Sequence, residues 1–480
     1  MPAAQGSCPN CGAPIEFTLG SSLAKVCEYC RHTVVRSDRG LHNAGKAADI
    51  ANTPSLIAVG DEGVLAGRPF RVFGRVQLDH GEGPWDEYYI GLDYGQSWGW
   101  LAYAQGEWYA TALSAPVVVP PHDHLEPERD LPLGPGGVFR IAEVKSARVA
   151  STEGELPGGI REGMTRLYAD LWGQGRGFAT LDYGEAGQQA ALFLGYVLGE
   201  PELQVTQAGP RTIHKVKTAQ LTCPNCGGDV PKLSGERAER LGCPYCGAVS
   251  DIALRTVVAQ QERLLQGTEI PIGTQGTFDG VVYLCIAYVR RGTSFEGEPY
   301  GWEEYLLFSQ QVGYRWLVKD PETGWSWVSP VNLADLDLSS AGTQVTWHNR
   351  VFKIRNRNYA RVEYVLGEVY WKCQVGETTS VADYTAGRDV LSREGSKNEV
   401  RWSLSTPVPK PVLEKAFGIK LREVRLASSG GGGGSSTTAI ALIVVAFILL
   451  ACVASYFDDD GSGGGGGGVV IGGGVFSGGK

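Results

Sequence analysis

The chain carries one β-rich pattern twice, and this duplication restricts its possible folds more than any other feature. The motifs that recur in the same order are Trp85-Asp86-Glu87-Tyr88 and Trp302-Glu303-Glu304-Tyr305, Trp100-Leu101 and Trp316-Leu317, Ala147-Arg148-Val149 and Ala360-Arg361-Val362, Gly154-Glu155 and Gly367-Glu368, and Asp182-Tyr183 and Asp383-Tyr384. The spacing is also kept: Trp85 and Trp100 lie 15 residues apart, and their counterparts 14. A repeat of this kind predicts two copies of one structural unit.

The size and the aromatic content indicate what each copy contains. With 480 residues the chain is too long for one hydrophobic core, so two to four domains are expected. Twelve Trp and 20 Tyr against two Met favour strands, where aromatic side chains pack well. We therefore predict a mainly β protein with antiparallel barrel or sandwich-like modules at 56–200 and 268–410.

Eight of the 11 cysteines fall into two sets of four. The sets are Cys8, Cys11, Cys27 and Cys30 in the segment 1–35, and Cys223, Cys226, Cys243 and Cys246 in the segment 221–250. Each set consists of two Cys-x2-Cys knuckles, the spacing of a tetrahedral four-sulfur zinc site with no position left open for substrate. Two small ribbons with structural zinc are predicted, and a disulfide or redox role is the less favoured alternative.

The connections and the cellular compartment follow from weaker signals. Short helices are expected around 41–50 and over 254–266, the second one ended by Gly267. The first seven residues lack the basic start and apolar core of a signal peptide. We therefore expect a cytoplasmic location for the N-terminal part, where thiols stay reduced and paired cysteines bind metal.

The C-terminal part of the sequence predicts a membrane anchor. A Gly/Ser linker at 426–438 precedes 19 uncharged residues at 439–457, which as a helix would span about 28 Å. A buried core helix is the alternative, but the Gly-rich flanks, including the tail 458–480, offer no core. Lysines and arginines before the segment place the N-terminus inside. We expect a single-pass protein of the bacterial inner membrane.

The repeated acidic residues allow two interpretations. The pairs are Glu87 and Glu304, Glu155 and Glu368, and Asp182 and Asp383. Paired carboxylates can perform acid–base chemistry, but no repeated His, Ser or Cys accompanies them, so a scaffold role is favoured and no catalytic residue is assigned. An open cleft that gathers these acids would favour a site, whereas burial in turns would not.

Two pairs of tryptophans at i and i+2 could form either a core layer or a binding surface. They are Trp98 and Trp100, and Trp325 and Trp327. Residues at this spacing share one face of a strand. The core is favoured, because a small β fold needs large side chains to fill its interior.

The motif order resembles a bacterial family known as domain of unknown function 4178. The first copy carries its pattern in Trp85, Glu87 and Tyr88, in Trp100, and in the turn Gly154-Glu155-Leu156-Pro157; the second copy departs at this turn, with Gly367-Glu368-Val369-Tyr370-Trp371. The resemblance covers roughly residues 8–410. It implies zinc-ribbon segments joined to β modules and, because similar proteins are encoded near membrane-stress and polyamine-related genes, a membrane-tethered accessory role.

The function expected from these observations is a non-enzymatic one. Two β units, each with a ribbon stabilised by zinc, would recruit or scaffold protein partners at the cytoplasmic face of the membrane. The alternative is an enzyme or a binding protein for a cationic metabolite such as a polyamine, using the repeated acids. Nucleic-acid binding ranks last, because the net charge is −9 and the ribbons carry few basic residues.

Overall fold

The computed structural model describes residues 4–17, 24–27, 29–30, 32–37, 40–46, 57–80, 84–104, 107–158, 160–199, 201–206, 220–231, 233, 238–252, 254–264, 267–295, 298–309 and 312–421. Over these ranges the chain is almost entirely β, as predicted. The linker, the proposed membrane segment and the tail, residues 426–480, lie outside the described residues. Within the ranges given, no helix is long and apolar enough to cross a membrane.

The first unit contains sixteen strands within its described residues. They are β1 (Ala4–Ser7), β2 (Pro14–Phe17), β3 (Ala24–Val26), β4 (His32–Ser37), β5 (Gly40–Lys46), β6 (Glu62–Leu65), β7 (Arg68–Asp79), β8 (Pro84–Leu92), β9 (Ser97–Ala104), β10 (Glu107–Leu113), β11 (Asp130–Pro132), β12 (Val138–Leu156), β13 (Thr165–Trp172), β14 (Gly177–Gly184), β15 (Ala191–Val197) and β16 (Leu203–Thr206). Short 3-10 turns occur at Asp93–Gly95, His122–His124 and Gly134–Gly136.

The second unit repeats this arrangement and adds one helix. Its elements are β17 (Gln220–Thr222), β18 (Asp229–Pro231), β19 (Arg240–Gly242), β20 (Ala248–Asp251), β21 (Thr256–Gln260), β22 (Gln275–Phe278), β23 (Val281–Phe295), β24 (Glu298–Ser309), β25 (Gly313–Asp320), β26 (Gly324–Val331), the 3-10 turn Leu333–Asp335, β27 (Leu336–Asp337), β28 (Gln344–Trp347), β29 (Arg350–Val369), β30 (Thr378–Ala386), β31 (Asp389–Gly395), β32 (Val400–Pro407) and α1 (Lys410–Phe417).

Eight antiparallel strands close into a barrel in each unit. The first barrel runs β7-β8-β9-β10-β15-β14-β13-β12 and closes where β12 pairs with β7. The second runs β23-β24-β25-β26-β32-β31-β30-β29 and closes between β29 and β23. Each barrel is therefore two four-stranded meanders joined edge to edge in the same order. Full closure leaves no unpaired sheet edge in the barrel wall.

Each ribbon is joined to its barrel through the longest strand. The end of β12 pairs with β3, and the end of β29 pairs with β19, so that ribbon and barrel share hydrogen bonds. Gly154 and Gly367 mark this crossing, with φ of 72° and 82°. A Cβ at either position would collide with the backbone of the neighbouring strand. Only glycine fits there.

Both predicted connector helices are wrong. Strand β5 occupies most of 41–50, and β21 lies within 254–266. β5 pairs with β4, and β21 pairs with β20, so each segment extends the ribbon sheet. In the second case Thr256, Val257 and Val258 have good β propensity, and pairing with an available edge prevails over helical periodicity.

The helix α1 closes the described part of the chain. It begins after Pro409 and ends at Gly418, whose φ of 65° supplies the left-handed cap. Its apolar residues Leu413 and Phe417 are buried against the outside of the second barrel, where the Phe417 ring lies 5.7 Å from that of Phe278. The helix is thus a cover for this barrel.

The two barrels pack directly against each other. Ala142 of β12 belongs to the same buried cluster as Leu333, Phe352 and Trp402 of the second unit. Glu128 forms a bidentate ion pair with Arg393, with an Nη2–Oε2 distance of 2.7 Å. These apolar and ionic contacts place one end of the second barrel beside β12.

Candidate ligand cavity and metal centres

The eight clustered cysteines converge into two groups that could each hold a metal ion. The sulfurs of Cys8 and Cys30 lie 3.6 Å apart, and those of Cys11 and Cys27 lie 3.7 Å apart. In the second ribbon the corresponding distances are 3.7 Å for Cys223 with Cys246 and 3.8 Å for Cys226 with Cys243. Within each group all four sulfurs lie within 4.8 Å of one another.

These distances fit metal coordination and not disulfide bonding. A disulfide requires about 2.05 Å between sulfurs. Four sulfurs placed about 2.3 Å from a central ion at tetrahedral corners are about 3.8 Å apart. Positive φ at Gly12 and Gly227, 76° and 70°, lets the backbone turn sharply after the first knuckle of each ribbon. The donor set therefore fits two metal ions with four thiolates each.

A cavity of about 620 Å³ lies inside the first barrel. All eight barrel strands contribute side chains to it, and on β13 and β14 every second residue does so. This alternation is the one that directs a strand's side chains to the lumen. A volume of this size is typical of small-molecule sites.

The cavity has an aromatic wall and an acidic lining. The aromatic residues of the first barrel that border it are Trp85, Tyr88, Tyr89, Trp98, Trp100, Tyr103, Trp108, Tyr109, Tyr168, Trp172, Phe178 and Phe193. Seven acidic residues and two arginines belong to the lining: Asp86, Glu87, Glu143, Asp170, Asp182, Glu239 and Glu399, with Arg166 and Arg401. Two further cations pair with these acids, since Arg75 contacts Asp86 and Lys145 contacts Glu143 and Glu399. The charge balance of the lining is therefore negative.

Two of these acids, Glu87 and Asp170, are held by neutral hydrogen-bond donors. The indole nitrogen of Trp85 donates to Oε1 of Glu87 at 3.0 Å, and the Thr180 hydroxyl donates to Oδ1 of Asp170 at 2.6 Å. Burial raises the pKa of Glu87 against the opposing effects of Trp85 and Arg166. Burial and the nearby Glu143 raise the pKa of Asp170 well above its usual range. A cation beside these carboxylates would reverse that effect.

The other acids of the lining include several with cationic partners. Asp182 pairs with Arg166, and Asp86 pairs with Arg75 at 2.6 Å. Lys145 lies 3.2 Å from Glu143. Burial alone would raise the pKa of Glu143, but Lys145 and Arg401 lower it to about 2. Glu143 is therefore ionised, and it also accepts a 2.9 Å hydrogen bond from the Tyr168 hydroxyl.

The second barrel keeps the inward acids but fills the space with side chains. Trp302 donates to Glu304 at 2.6 Å, repeating the contact of Trp85 with Glu87. Trp302 is 2% exposed and Glu304 is 1% exposed, whereas Trp85 and Glu87 are only half-buried. The filling side chains include Leu306, Phe308, Trp316, Val318, Val328, Trp371 and Cys373. The two copies have diverged from one interior, open in the first and packed in the second.

One of the predicted correspondences is wrong. Asp182 lies on β14 and Asp383 on β30, which are different positions in the two barrels. The true counterpart of Asp383 is Asp170: Ser392 donates to Asp383 as Thr180 does to Asp170. Asp182 corresponds to Glu394. The two Asp-Tyr dipeptides therefore lie at positions that are not equivalent.

The remaining predicted acids and tryptophans lie at the ribbon–barrel junction, on the outside of the second barrel, or in the cavity lining. Glu155 and Glu368 are buried where ribbon meets barrel, and Oε1 of Glu155 lies 3.7 Å from Lys25. Trp325 and Trp327 pack on the outside of the second barrel. Trp98 and Trp100 instead line the cavity and are half-buried. Only Glu87 and Asp182 of the predicted acids reach the cavity.

Sequence reasoning missed Glu143, Arg166 and Asp170. Polar residues at every second position of β13, from Arg166 to Asp170, signal a strand with a polar inner face. That signal could have been read from the sequence. The role of Glu143 could not, because it depends on a bulge between Ile141 and Glu143 that resets the strand register.

Comparison with known proteins agrees with the duplication. The family model described as Domain of unknown function (DUF4178) matches residues 58–199 and again residues 271–410. Each match contains one complete barrel. No curated protein and no solved structure matches the chain.

Proposed function

The chain belongs to the DUF4178 family, matched once over each barrel, and from that premise we propose that it is a binding protein for a small organic cation. The site is the cavity of the first barrel. The observation that carries the proposal is the lining, whose seven acidic residues outnumber its two arginines even when Arg75 and Lys145, which pair with these acids, are counted. Such an interior favours positive charge and repels anions.

The aromatic wall supports the same class of ligand. The rings of Tyr89 and Trp100 lie 5.2 Å apart, and those of Trp85 and Tyr168 lie 6.0 Å apart. Aromatic faces attract ammonium groups when water is displaced, and their area contributes to the binding of alkyl chains. An amine with a short hydrocarbon chain, the chemistry of a polyamine, matches both properties of the wall.

Binding without chemical conversion is the role we propose. Glu87 and Asp170 are oriented by Trp85 and Thr180, which fix carboxylate oxygens as acceptors for a bound ammonium group. The same contacts recur in the second barrel at Glu304 and Asp383. Because they recur in a filled interior, their first role is in the fold, and we propose that the open copy also uses them for recognition.

Zinc is the metal we propose for the two cysteine groups. Four thiolates in tetrahedral positions suit zinc, which the ribbons would use structurally. The four thiolates of each group would complete the coordination shell, leaving no position for a substrate. The metal would stabilise the ribbon strands that continue the sheets of the barrels.

Membrane attachment and partner recruitment are further parts of the proposal. They rest on the sequence of 439–457, and the location we propose is the cytoplasmic face of the bacterial inner membrane. Two barrels packed into a single body would present protein partners with one surface near the membrane. Deletion of 439–457 is expected to release the protein from membranes into the soluble fraction.

The binding proposal is tested by calorimetry on the purified full chain in detergent, with spermidine as the probe. Saturable binding to the wild type is expected. Glu87→Gln should weaken it at least about tenfold, because a charge-assisted contact is lost. Glu304→Gln is the matched control in the filled barrel and should bind as the wild type does. Absence of saturable spermidine binding to the wild type would rule out this ligand class.

A further inference from the structure

The first barrel does not form the cavity alone. Six residues of the second unit's barrel strands and adjoining loops also line it: Tyr314, Tyr370, Trp371, Glu399, Val400 and Arg401. Tyr314 and Tyr370 are stacked, with ring centroids 4.2 Å apart. A ligand that fills the cavity therefore touches both copies of the repeat.

The segment 396–401 connects β31 to β32 and includes the first two residues of β32, and its backbone is hydrogen-bonded to the first barrel. The Val144 amide donates to the Asn398 carbonyl at 2.8 Å, and Glu143 forms a β-bridge with Glu399. Strand β12 pairs with β7 only from Arg148 onward, whereas Glu143 and Val144 keep their partners Asp170 and Ala169 on β13. Strand β12 can therefore offer a hydrogen bond to the second unit while remaining in its own barrel.

Buried charges join the two units at the same place. The Lys145 ammonium contacts Glu143 of its own unit and Glu399 of the other, and Arg401 contacts Glu399. The side chains of Glu399 and Lys145 are 2% and 8% exposed. Separation of the units would leave these charges without their partners in a poorly hydrated region, which is costly.

We infer that the duplication builds one composite site, in which a bound organic cation couples the packing of the second unit to the occupancy of the first barrel. This inference rests on the proposed function. A ligand that touches both units binds the packed arrangement more tightly than a separated one. By linkage it must then stabilise the contact between units. In this view the second barrel, whose interior is filled, forms one wall of the site, and its packing against the first barrel responds to ligand occupancy.

The test uses the full chain in detergent, with spermidine as the probe. Hydrogen exchange is measured with and without saturating spermidine. We expect exchange at 396–401 of the second unit to slow at least about tenfold together with that of the cavity strands. Calorimetry on Glu399→Gln should show spermidine affinity reduced about tenfold, because Lys145 loses a buried partner.

Asp389→Asn is the matched control for this variant. It removes one partner of the Arg350 ion pair, in the second barrel and away from the cavity, and should leave spermidine affinity within about twofold of the wild type. Lys145→Arg keeps the positive charge and should retain most of the affinity. This result would show that the charge of this buried group matters more than the shape of its side chain.

The outcomes distinguish the coupling from the binding itself. If the wild type binds spermidine while exchange at 396–401 is unchanged, the coupling is refuted and the proposed function stands, whatever the affinity of Glu399→Gln. If the wild type does not bind spermidine, both fall. Slowed exchange at 396–401 together with weakened binding by Glu399→Gln supports both.

Discussion

The Thr180 hydroxyl donates a 2.6 Å hydrogen bond to Asp170, from one strand to the next inside the first barrel. Ser392 and Asp383 repeat this contact in the second barrel. The pair survives in both copies, although the surroundings differ: Asp170 faces a cavity, whereas Asp383 is fully buried. One inherited contact therefore serves an open interior in one unit and a packed core in the other.

The first prediction concerns the pH dependence of ligand binding. Burial raises the pKa of Glu87 and Asp170 in the free protein, so both carry protons more readily than exposed carboxyls. Spermidine affinity should therefore increase as pH rises and these groups ionise, up to the pKa of the amine at about 10. Calorimetry at a series of pH values from about 5 to about 9, between the ordinary pKa of a carboxyl group and that of an amine, measures this. The double variant Glu87→Gln with Asp170→Asn should lose most of the dependence.

The second prediction concerns the pH dependence of stability in the second barrel. Burial raises the pKa of Asp383 to about 7 and that of Glu394 to about 8. The folded state then binds more protons than the unfolded state, so this contribution to stability is complete below the unfolded pKa values of about 4, falls as pH rises above them, and is lost once pH exceeds the folded values of about 7 to 8. Asp383→Asn should make the melting temperature depend less on pH between about 4 and about 8. An unchanged dependence on pH would contradict the assignment.

The third prediction concerns the metal. Elemental analysis of the purified chain should find two zinc ions per molecule, and Cys226→Ser should reduce this to one. Because β19 pairs with β29, loss of the second metal should also destabilise the second barrel, by roughly 2 kcal/mol or more in chemical unfolding. Cys373→Ala changes a buried cysteine outside both groups and should keep the full metal content.

The fourth prediction concerns the junction of ribbon and barrel. Gly154→Ala places a Cβ against the Phe73 carbonyl at a positive φ. It should destabilise the first unit by about 2 kcal/mol or more, as measured by chemical unfolding. Gly184→Ala also has positive φ but open space around the added carbon, and should cost less. Equal costs at the two positions would show that the close approach of the strands is unimportant.

The fifth prediction concerns the contact between the barrels. Glu128 accepts hydrogen bonds from both Arg393 and Trp402 of the other unit, at 2.7 and 3.0 Å. Glu128→Gln should weaken the packing by about 1–3 kcal/mol, since a two-pronged charged contact is lost. We expect one unfolding transition for the wild type in differential scanning calorimetry and a broadened or divided transition for this variant. Glu126→Gln, in an exposed local pair with Arg129, is the control.

The sequence by itself determined the parts of this protein that depend on local spacing. Cys-x2-Cys knuckles fix which sulfurs can meet, so both metal-binding groups could be predicted from residue intervals alone. The repeated Trp and Gly motifs likewise established the duplication and the β class. Each of these signals is short-range, because it depends on turns and on the alternation of neighbouring side chains.

Only the tertiary structure decided which repeated residues form a site. Glu87 and Glu304 are equivalent in sequence, yet one borders a cavity and the other a packed core, because side chains such as Leu306, Phe308 and Cys373 fill the interior of the second barrel. The equivalence of Asp170 and Asp383 as positions in the two barrels depends on the strand order around each closed barrel. The contribution of Glu399 depends on how two barrels pack. Such relationships join residues far apart in the chain, and no local pattern specifies them.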